Sequence, residues 1–407
     1  MRALFVTWDG PGSNYHESLF LPIFAKIRRP GDEIHLLQYA WGADARSASV
    51  REAAQRLGMR YVALPVWRTP QAPATALMIL KGAFDLVRYV RRHRIDVLMP
   101  RSIIPAGMAL LALRFLPGVK LLFDADGLMA DERADFAGWS RDGRPYRVLR
   151  SVEAATVRRA DVVITRTYRA KHILAERAGL AGAEKIIVIS NGRDTDAFQP
   201  GTVAERTSTR QRLGLSDEAP LLVYAGSLDE EKYNASRLMA FFRRVLQHQS
   251  TAHFLVLSGS PELAEVAASA ANIPVGSYTI RTVFPSEVPR YLAAGDLGLA
   301  FIQPSLSMTA AGPIKAGEYL LCGLPVLSTS GIGDLDDLLD AETGRLLGSL
   351  DDSALDAAAG WFIEEVLPAR ERHRASCRVR GLEHFGLDRS VAQYREAFDR
   401  IGEAVFA

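Results

Sequence analysis

The segment GPIKAGEYLLCGLPVLS, residues 312–328, joins a short helical pattern to an apolar strand. Lys315 and Glu318 are three residues apart, which places both side chains on one face of the predicted helix. Gly323 and Pro325 then favour a sharp turn into the run PVLS, which is typical of a buried strand. A helix that turns so tightly into a buried strand indicates an α/β sheet with polar groups beside it.

The Lys315 and Glu318 pair admits two interpretations. A carboxylate can accept hydrogen bonds from both hydroxyls of a ribose, and an ammonium group beside it can bind phosphate. The alternative is an ion pair on the helix surface, which contributes less than about 1 kcal/mol. The position of the pair between two strands favours a ligand site.

Short apolar runs alternate with helical patterns on both sides of this segment, which predicts βα units and parallel sheets. In the first half the predicted strands are residues 3–7, 33–38, 61–64, 96–99, 120–123, 162–165 and 185–189. In the second half they are residues 221–226, 254–257, 279–283, 297–301, 325–328 and 345–347.

The length of 407 residues suits two domains. The polar segment 194–220, rich in Pro and Gly, predicts a linker and hinge. We therefore expect an α/β protein of two Rossmann-like parallel-sheet domains, residues 1–198 and 199–389, facing each other across a cleft. The helical pattern of residues 390–407 is expected to return to the first domain.

Composition excludes several classes of protein. A formal net charge of +2 is far from the basic balance of nucleic-acid-binding proteins, so no nucleic-acid partner is expected. The two cysteines, Cys322 and Cys377, have no metal-ligand spacing. The N-terminus reads as a strand and no apolar run reaches the length of a membrane span, which predicts a soluble cytoplasmic protein.

Two glycine turns follow predicted strands, where open parallel sheets bind ligands. Gly10, Gly12 and Ser13 follow the first strand, and their backbone N–H groups can approach a phosphate or sugar; a tight turn without a ligand is the alternative. Gly226 and Lys232 open the second half. There the lysine can neutralise a diphosphate near a helix start, or it is an ordinary surface lysine.

The chain resembles retaining GT-B glycosyltransferases, particularly glycosyltransferase family 4 and its bacterial polysaccharide-building members. Three motifs carry the resemblance, in the expected order and spacing: NGRDTDAFQP at residues 191–200, YAGSLDEEK at residues 224–232 and PIKAGEYLLCGLPVLST at residues 313–329. The resemblance covers nearly the whole chain. It implies an acceptor domain at residues 1–198 and a donor domain at residues 199–389.

The resemblance implies transfer of a hexosyl unit from a nucleotide diphosphate sugar to a glycan or lipid-linked saccharide acceptor, with no metal or other cofactor. Glu318 is expected to bind the donor ribose, and Lys232 and Lys315 the diphosphate. The donor-binding set is Gly10, Gly12, Ser13, Gly226, Ser227, Lys232, Arg281, Val283, Phe284, Ala311, Gly312, Pro313, Ile314, Lys315 and Glu318. The catalytic set is Asp124, Asp126 and Lys232.

Three positions depart from the family pattern. Ser227 stands where an arginine is common, Ala310 stands where the first glutamate of a pair is expected, and Asp124 stands where many members carry histidine. Asp124 and Asp126 either orient or deprotonate the acceptor hydroxyl, or form an Asx turn that caps the next helix. The sequence DAD formally matches a metal-binding DxD, but it lies in the acceptor half.

Two other functions remain open from the sequence: a sugar-nucleotide epimerase on the same fold, and a non-catalytic nucleotide-sugar-binding scaffold. A basic face also stands out, formed by Arg88, Arg91, Arg92 and Arg94, with Lys26, Arg28 and Arg29 as further members. It is either a solvated face or a surface for peripheral contact with an anionic membrane.

Overall fold

The computed structural model describes residues 1–10, 15–42, 44–69 and 71–406. The chain divides into two compact units. The first comprises Met1–Ser190 together with Ser390–Ala407, and the second comprises Asn191–Arg389.

The first unit is built on a parallel sheet that has seven strands within the described residues, in the order β3-β2-β1-β4-β5-β6-β7. The strands are rich in Val, Ile, Leu or Phe and most are buried on both faces, as a sheet covered by helices requires, whereas the edge strand β3 is only partly buried. The strands are β1 (Arg2–Asp9), β2 (Glu33–Ala40), β3 (Arg60–Pro65), β4 (Val97–Pro100), β5 (Lys120–Asp124), β6 (Val162–Thr165) and β7 (Ile186–Val188). All seven strands predicted for the first half are confirmed.

Helices connect these strands and cover the sheet. They are α1 (Leu21–Ile27), α2 (Asp44–Arg56), α3 (Gln71–His93), α4 (Ile103–Ala112), α5 (Met129–Phe136), α6 (Arg144–Arg159) and α7 (Tyr168–Arg177). A short π-helical turn, His16–Phe20, precedes α1, and a 3₁₀ turn, Leu113–Phe115, follows α4.

The second unit repeats the plan with a parallel sheet of six strands in the part of the chain that is described, in the order β10-β9-β8-β11-β12-β13. The strands are β8 (Leu221–Ala225), β9 (His253–Leu257), β10 (Tyr278–Arg281), β11 (Leu297–Ala300), β12 (Val326–Thr329) and β13 (Gly344–Leu347). The helices are α8 (Val203–Arg212), α9 (Ala235–His248), α10 (Pro261–Ala270), α11 (Val288–Ala294), α12 (Ile314–Leu321), α13 (Leu335–Leu338), α14 (Asp352–Trp361) and α15 (Arg370–Phe385). The six strands predicted for this half are confirmed as well.

The helix α16 (Leu387–Phe406) follows the second unit in the chain, and its residues from Ser390 onward belong to the first unit. Tyr394 is buried there, with its ring 6.2 Å from that of Phe24 and its hydroxyl 3.4 Å from Arg166 Nη1. Gln393 accepts a hydrogen bond from the backbone N–H of Ser190 at 3.0 Å. The helix therefore completes the core of the first unit.

Strand order positions the sites where ligands can bind. In each sheet the order reverses at one pair of neighbours, β1 with β4 and β8 with β11, so the loops that leave these strands diverge to opposite sides. Such a switch point opens a crevice at the carboxyl ends of the strands. Gly226 follows β8 directly and therefore stands at the crevice of the second sheet.

The polar segment 194–220 differs from the linker that its composition predicts, because it contains α8 and lies within the second unit. Thr202 and Glu205 form a reciprocal capping box at the start of α8. Arg210 is fully buried, and its Nη2 lies 2.7 Å from Oδ2 of the equally buried Asp296. Its long side chain anchors α8 to the second unit, and this contact cannot be recognised from the composition of the segment.

We expect Asp296→Asn to destabilise the second unit by about 3–5 kcal/mol, because it leaves the Arg210 guanidinium buried without its counter-charge. Hydrogen exchange of the β8 amides in the full chain measures the loss. The matched control is Asp352→Asn: Asp352 also pairs with an arginine, Arg244, at 2.9 Å but is largely exposed, so we expect a loss below about 1 kcal/mol. Equal losses in the two variants would contradict the assignment.

Candidate functional site

A buried tyrosine fixes α12 at the switch point of the second sheet. The Tyr319 hydroxyl accepts a hydrogen bond from Ala225 N at 2.9 Å and donates one to Leu299 O at 3.1 Å, so it bridges β8 and β11. Gly298 makes room for the ring, since a Cβ at that position would lie 2.4 Å from it. The tyrosine thereby determines where its helix neighbours, Lys315 and Glu318, stand.

Glu318 lies beside Arg193, a residue of the motif at 191–200. Arg193 Nε donates to Glu318 Oε1 at 2.8 Å, and both side chains are largely buried. Burial raises the pKa of the Glu318 carboxyl, and the neighbouring guanidinium opposes that rise. Arg193 therefore orients the carboxylate and favours its charged form.

Lys315 lies among aromatic rings. Its Nζ is 2.9 Å from the Tyr224 hydroxyl and 4.2 Å from the centre of that ring, and it is 4.4 Å from the centre of the Tyr233 ring. Burial lowers the pKa of Lys315 to about 7; Glu318 opposes the change and Lys232 adds to it. The ammonium group is thus held by cation–π contacts in a place where it readily gives up its proton.

The turn after β8 brings the other predicted residues to this lysine. Gly226 has φ +143°, and a Cβ there would lie 3.2 Å from Lys315 Nζ. The Tyr224 hydroxyl donates to the carbonyl of Ser227. Asp229 accepts the backbone N–H of Lys232 at 2.6 Å, and Lys232 Nζ lies 5.6 Å from the centre of the Tyr233 ring.

The structure therefore brings together most of the donor residues that the sequence indicated in this half. Gly226, Ser227, Lys232 and Lys315 lie around the two tyrosines, and Glu318 is one helical turn away on α12. The segment Ala311, Gly312, Pro313 and Ile314 leads into α12 and is half-buried. The carbonyl of Gly312 is fixed by the side-chain amide of Asn191 at 3.1 Å.

Three members of the predicted donor-binding set, Arg281, Val283 and Phe284, stand apart from this group. Arg281 ends β10, an edge strand that β9 separates from β8, and its Nη1 lies 3.2 Å from the Tyr291 hydroxyl. Val283 and Phe284 follow it, and the Phe284 ring is largely exposed. Their role in binding stays a prediction.

In the first unit, Asp124 lies at the end of β5 in a buried ion network. Its two oxygens accept from Arg166 Nη2 at 2.8 Å, and one also accepts from Arg101 Nη1 at 2.8 Å. Asp126 has φ +53°, its N–H donates to Asp124 Oδ1 at 3.2 Å, and its carboxylate lies 2.6 Å from Arg101 Nη2. Asp124 therefore forms an Asx-type turn with Asp126. The predicted capping of the next helix is wrong, because the N-cap of α5 is Leu128, whose side chain makes no capping hydrogen bond. Asp124 has no exposed surface, so Asp126 is the carboxylate of the two that a substrate can reach.

The first glycine turn is described only in part. A Cβ on Gly10 would lie 2.9 Å from the Trp41 ring, so the backbone approaches that ring closely and requires glycine. Burial raises the pKa of the preceding carboxyl, Asp9. Gly12 and Ser13 lie outside the described residues.

Sequence reasoning missed four side chains that organise these groups: Arg193, Tyr224, Tyr233 and Arg166. Arg193 and Tyr224 lie inside quoted motifs and Tyr233 directly follows one, so their positions were a usable signal. Arg166 is recognised only from packing. Within the described ranges no cluster of His, Cys, Asp or Glu is arranged to hold a metal ion, and none of the helices described there is long and apolar enough to cross a bilayer.

Comparison with known families gives the class of the protein. Residues 25–197 match Glycosyltransferase Family 4, and residues 219–365 match Glycosyl transferases group 1. A GDP-mannose-dependent alpha-(1-6)-phosphatidylinositol monomannoside mannosyltransferase of Mycolicibacterium smegmatis is 27% identical over 206 residues, 48% of this chain and 50% of that relative. The alpha-maltose-1-phosphate synthase of the same organism is 22% identical over 268 residues, 64% of this chain and 68% of that relative. The match thus spans about half the length of the first relative.

Solved structures share the fold over the whole chain. Anabaena HepE in complex with UDP has a TM-score of 0.72 at 15% identity, covering 98% of this chain and 100% of that one. The sucrose-phosphate synthase of Thermosynechococcus elongatus has a TM-score of 0.75 at 15% identity, covering 99% and 100%. The two parallel-sheet units and these structures show the GT-B fold, which confirms the expected fold class. The two family models, one over each half of the chain, show a glycosyltransferase of the family 4 type, which confirms the expected enzyme class.

Gly226, whose Cα faces the Lys315 ammonium group, provides a test of the geometry of the site. We expect Gly226→Ala to lower the calorimetric melting temperature of the second unit by several degrees, because its φ is strained for alanine and the methyl group presses on Lys315; the cost is about 1–3 kcal/mol. Gly259→Ala is the control, since Gly259 follows β9 with open space around its Cβ position. The prediction is wrong if the two variants melt alike.

Proposed function

We propose that this enzyme transfers a hexosyl unit from a nucleotide diphosphate sugar to a hydroxyl group of a glycan or lipid-linked saccharide, with retention of the anomeric configuration. The observation that carries the proposal is the convergence of Lys315, Lys232 and Glu318 at the β8/β11 switch point. Two comparisons support it: HepE has been solved with UDP and with UDP-glucose, and the mycobacterial relative is named as GDP-mannose-dependent.

The proposed reaction depends on stabilising the negative charge of the leaving group. Departure of a nucleoside diphosphate from the sugar carbon places negative charge on the leaving oxygens, and fixed cations in a partly buried site stabilise it strongly. Lys315 and Lys232 supply that positive charge, and the Glu318 carboxylate accepts hydrogen bonds from the ribose hydroxyls. Binding of the diphosphate returns the proton to Lys315, because an anion favours the ammonium form.

Lys315 also accounts for the serine at position 227. A family member with arginine there would place a guanidinium beside the glycine turn, and in this chain the Lys315 ammonium approaches the same glycine from α12. Ala310, in contrast, is buried in a 3₁₀ turn, Met308–Ala310, and its methyl group cannot accept a hydrogen bond from a sugar hydroxyl. Sugar contacts must therefore come from other groups.

No metal ion takes part in the proposed reaction, since the two lysines neutralise the diphosphate. We assign the reaction to the cytoplasm, at the inner face of the membrane, in the assembly of a bacterial surface glycan. The epimerase and scaffold alternatives are not favoured, because both matched families are described as glycosyl transferases.

Glu318→Gln tests the ribose assignment. In a thermal-shift screen of nucleoside diphosphates and their sugars, ligands with one base should stabilise the unaltered enzyme. The shift should largely vanish in the variant, because an NH2 group that cannot accept a hydrogen bond from a ribose hydroxyl replaces one carboxylate oxygen and the negative charge is lost. Glu262→Gln, an exposed acidic change on α10, should keep the full shift. An unchanged shift in Glu318→Gln would remove Glu318 from the site.

Lys315→Met tests the diphosphate assignment through pH. In the unliganded enzyme Lys315 has a pKa of about 7, and in the complex it is protonated. The affinity for the selected diphosphate is therefore highest below pH 7. It falls as the pH rises through that value, by up to about tenfold per pH unit. Calorimetric titrations should show this fall in the unaltered enzyme and not in Lys315→Met, which binds about tenfold more weakly at pH 6. Identical pH profiles would refute the assignment, because titration of the ligand itself contributes equally to both.

Turnover tests the whole proposal. The enzyme should convert the selected sugar nucleotide in the presence of a chelator, and the anomeric proton of the product should show the donor's configuration by NMR. Inversion, or an absolute requirement for a divalent cation, would overturn the respective part of the proposal. Epimerisation of the donor without an acceptor would favour the epimerase instead.

A further inference from the structure

The helix α3 carries large apolar side chains on its outer face. Leu77, Leu80 and Phe84 are 52%, 61% and 68% exposed and are spaced three and four residues apart, so they form one continuous stripe. The same spacing continues with Arg88 and Arg91, both exposed. The stripe is therefore apolar along its first half and cationic along its second.

The opposite face of α3 holds the helix to the first unit. Met78 and Leu86 are fully buried, and a Cβ on Gly82 would lie 2.4 Å from Met108 of α4, which shows how closely the two helices approach. The core is thus built without the outer stripe. Soluble proteins rarely expose several neighbouring large apolar side chains, so we infer that the stripe contacts a partner.

A further exposed aromatic residue adjoins the cationic end. Phe115, in the 3₁₀ turn after α4, is 62% exposed, and its carbonyl accepts a hydrogen bond from Arg91 Nη2 at 3.1 Å. The exposed Arg114 precedes it. We call this combined face the α3 surface; its members are Leu77, Leu80, Phe84, Arg88, Arg91 and Phe115.

The charged members of the α3 surface, Arg88 and Arg91, are both cationic. Asp85 is the acidic residue of α3, and it is neutralised by Lys81 at 2.7 Å. The arginines near the C-terminal end of the helix, Arg88, Arg91 and Arg92, are exposed. A second copy of the chain would bring like charges together at this surface, whereas a surface of phosphate groups over hydrocarbon matches both of its halves.

We propose that the α3 surface docks on a bilayer that contains anionic lipids. Leu77, Leu80 and Phe84 enter the boundary between headgroups and acyl chains, to a depth of about 5–10 Å, and Arg88 and Arg91 bind lipid phosphates. The sequence indicated only the arginines. The apolar half of the stripe turns an electrostatic attraction into a docking surface, and it does so whether or not the proposed transfer reaction is right.

Vesicle co-sedimentation of the full chain without nucleotide tests the proposal. The protein should pellet with phosphatidylcholine vesicles that contain phosphatidylglycerol and stay in solution with pure phosphatidylcholine, and added salt should weaken the binding. Equal binding to both vesicles, or binding to neither, would overturn the proposal. So would a stable dimer in sedimentation velocity that Phe84→Ser converts to monomer, since a second copy would then cover the surface.

Three variants separate the two halves of the surface. We expect Phe84→Ser to lower the partition coefficient about tenfold by removing a buried aromatic ring, and Arg88→Gln with Arg91→Gln to lower it at least tenfold by removing two phosphate contacts. Val266→Ser, an equally exposed apolar residue on α10, is the control and should bind as the unaltered protein does. Phe84→Ser binding as tightly as Val266→Ser would refute the apolar contact. The melting temperature of each variant without ligand shows that it is folded. Thermal shift with the selected diphosphate, which is independent of lipid, tests the proposed function separately.

Discussion

The bridge made by the Tyr319 hydroxyl between β8 and β11 sets the geometry of the second unit's site. Neighbouring parallel strands whose loops diverge leave a gap at their carboxyl ends, and a side chain that bonds to both strands fixes the helix that fills the gap. Because Tyr319 is held on both sides, Lys315 and Glu318 cannot shift along the sheet. The helix α15 adds a second constraint, since a Cβ on Gly381 would lie 2.7 Å from the backbone of Leu321. The two contacts together hold α12 against the sheet on one side and against α15 on the other.

Burial of charge is the common feature of both units. In the second, Lys315 relies on two aromatic rings and Glu318 on Arg193; in the first, Asp124 relies on Arg101 and Arg166. Each of these groups costs free energy to remove from water and is retained through specific partners. The two units stabilise their buried charges in different ways. Carboxylate and guanidinium neutralise one another around Asp124, whereas the Lys315 ammonium has aromatic neighbours that leave its charge available to a ligand.

The strands and the fold class could be predicted from the sequence because period and apolarity are local properties, and all thirteen predicted strands occur in the two sheets. The motifs also located Gly226, Lys232, Lys315 and Glu318. The polar segment 194–220 was misread as a linker, since the burial of Arg210 depends on Asp296, 86 residues away. Likewise Arg193 meets Glu318 across 125 residues, and Tyr224 meets Lys315 across 91. No local pattern records such pairings.

The route of the chain through the first unit has a consequence for synthesis on the ribosome. Tyr394 supplies a buried ring and a hydroxyl to the cluster around Arg166, yet it is translated after the whole of the second unit. Until then Arg166 and the ring of Phe24 lack their contacts with Tyr394, and the core of the first unit is incomplete. The first unit therefore reaches its final packing only after the whole of the second unit has been translated.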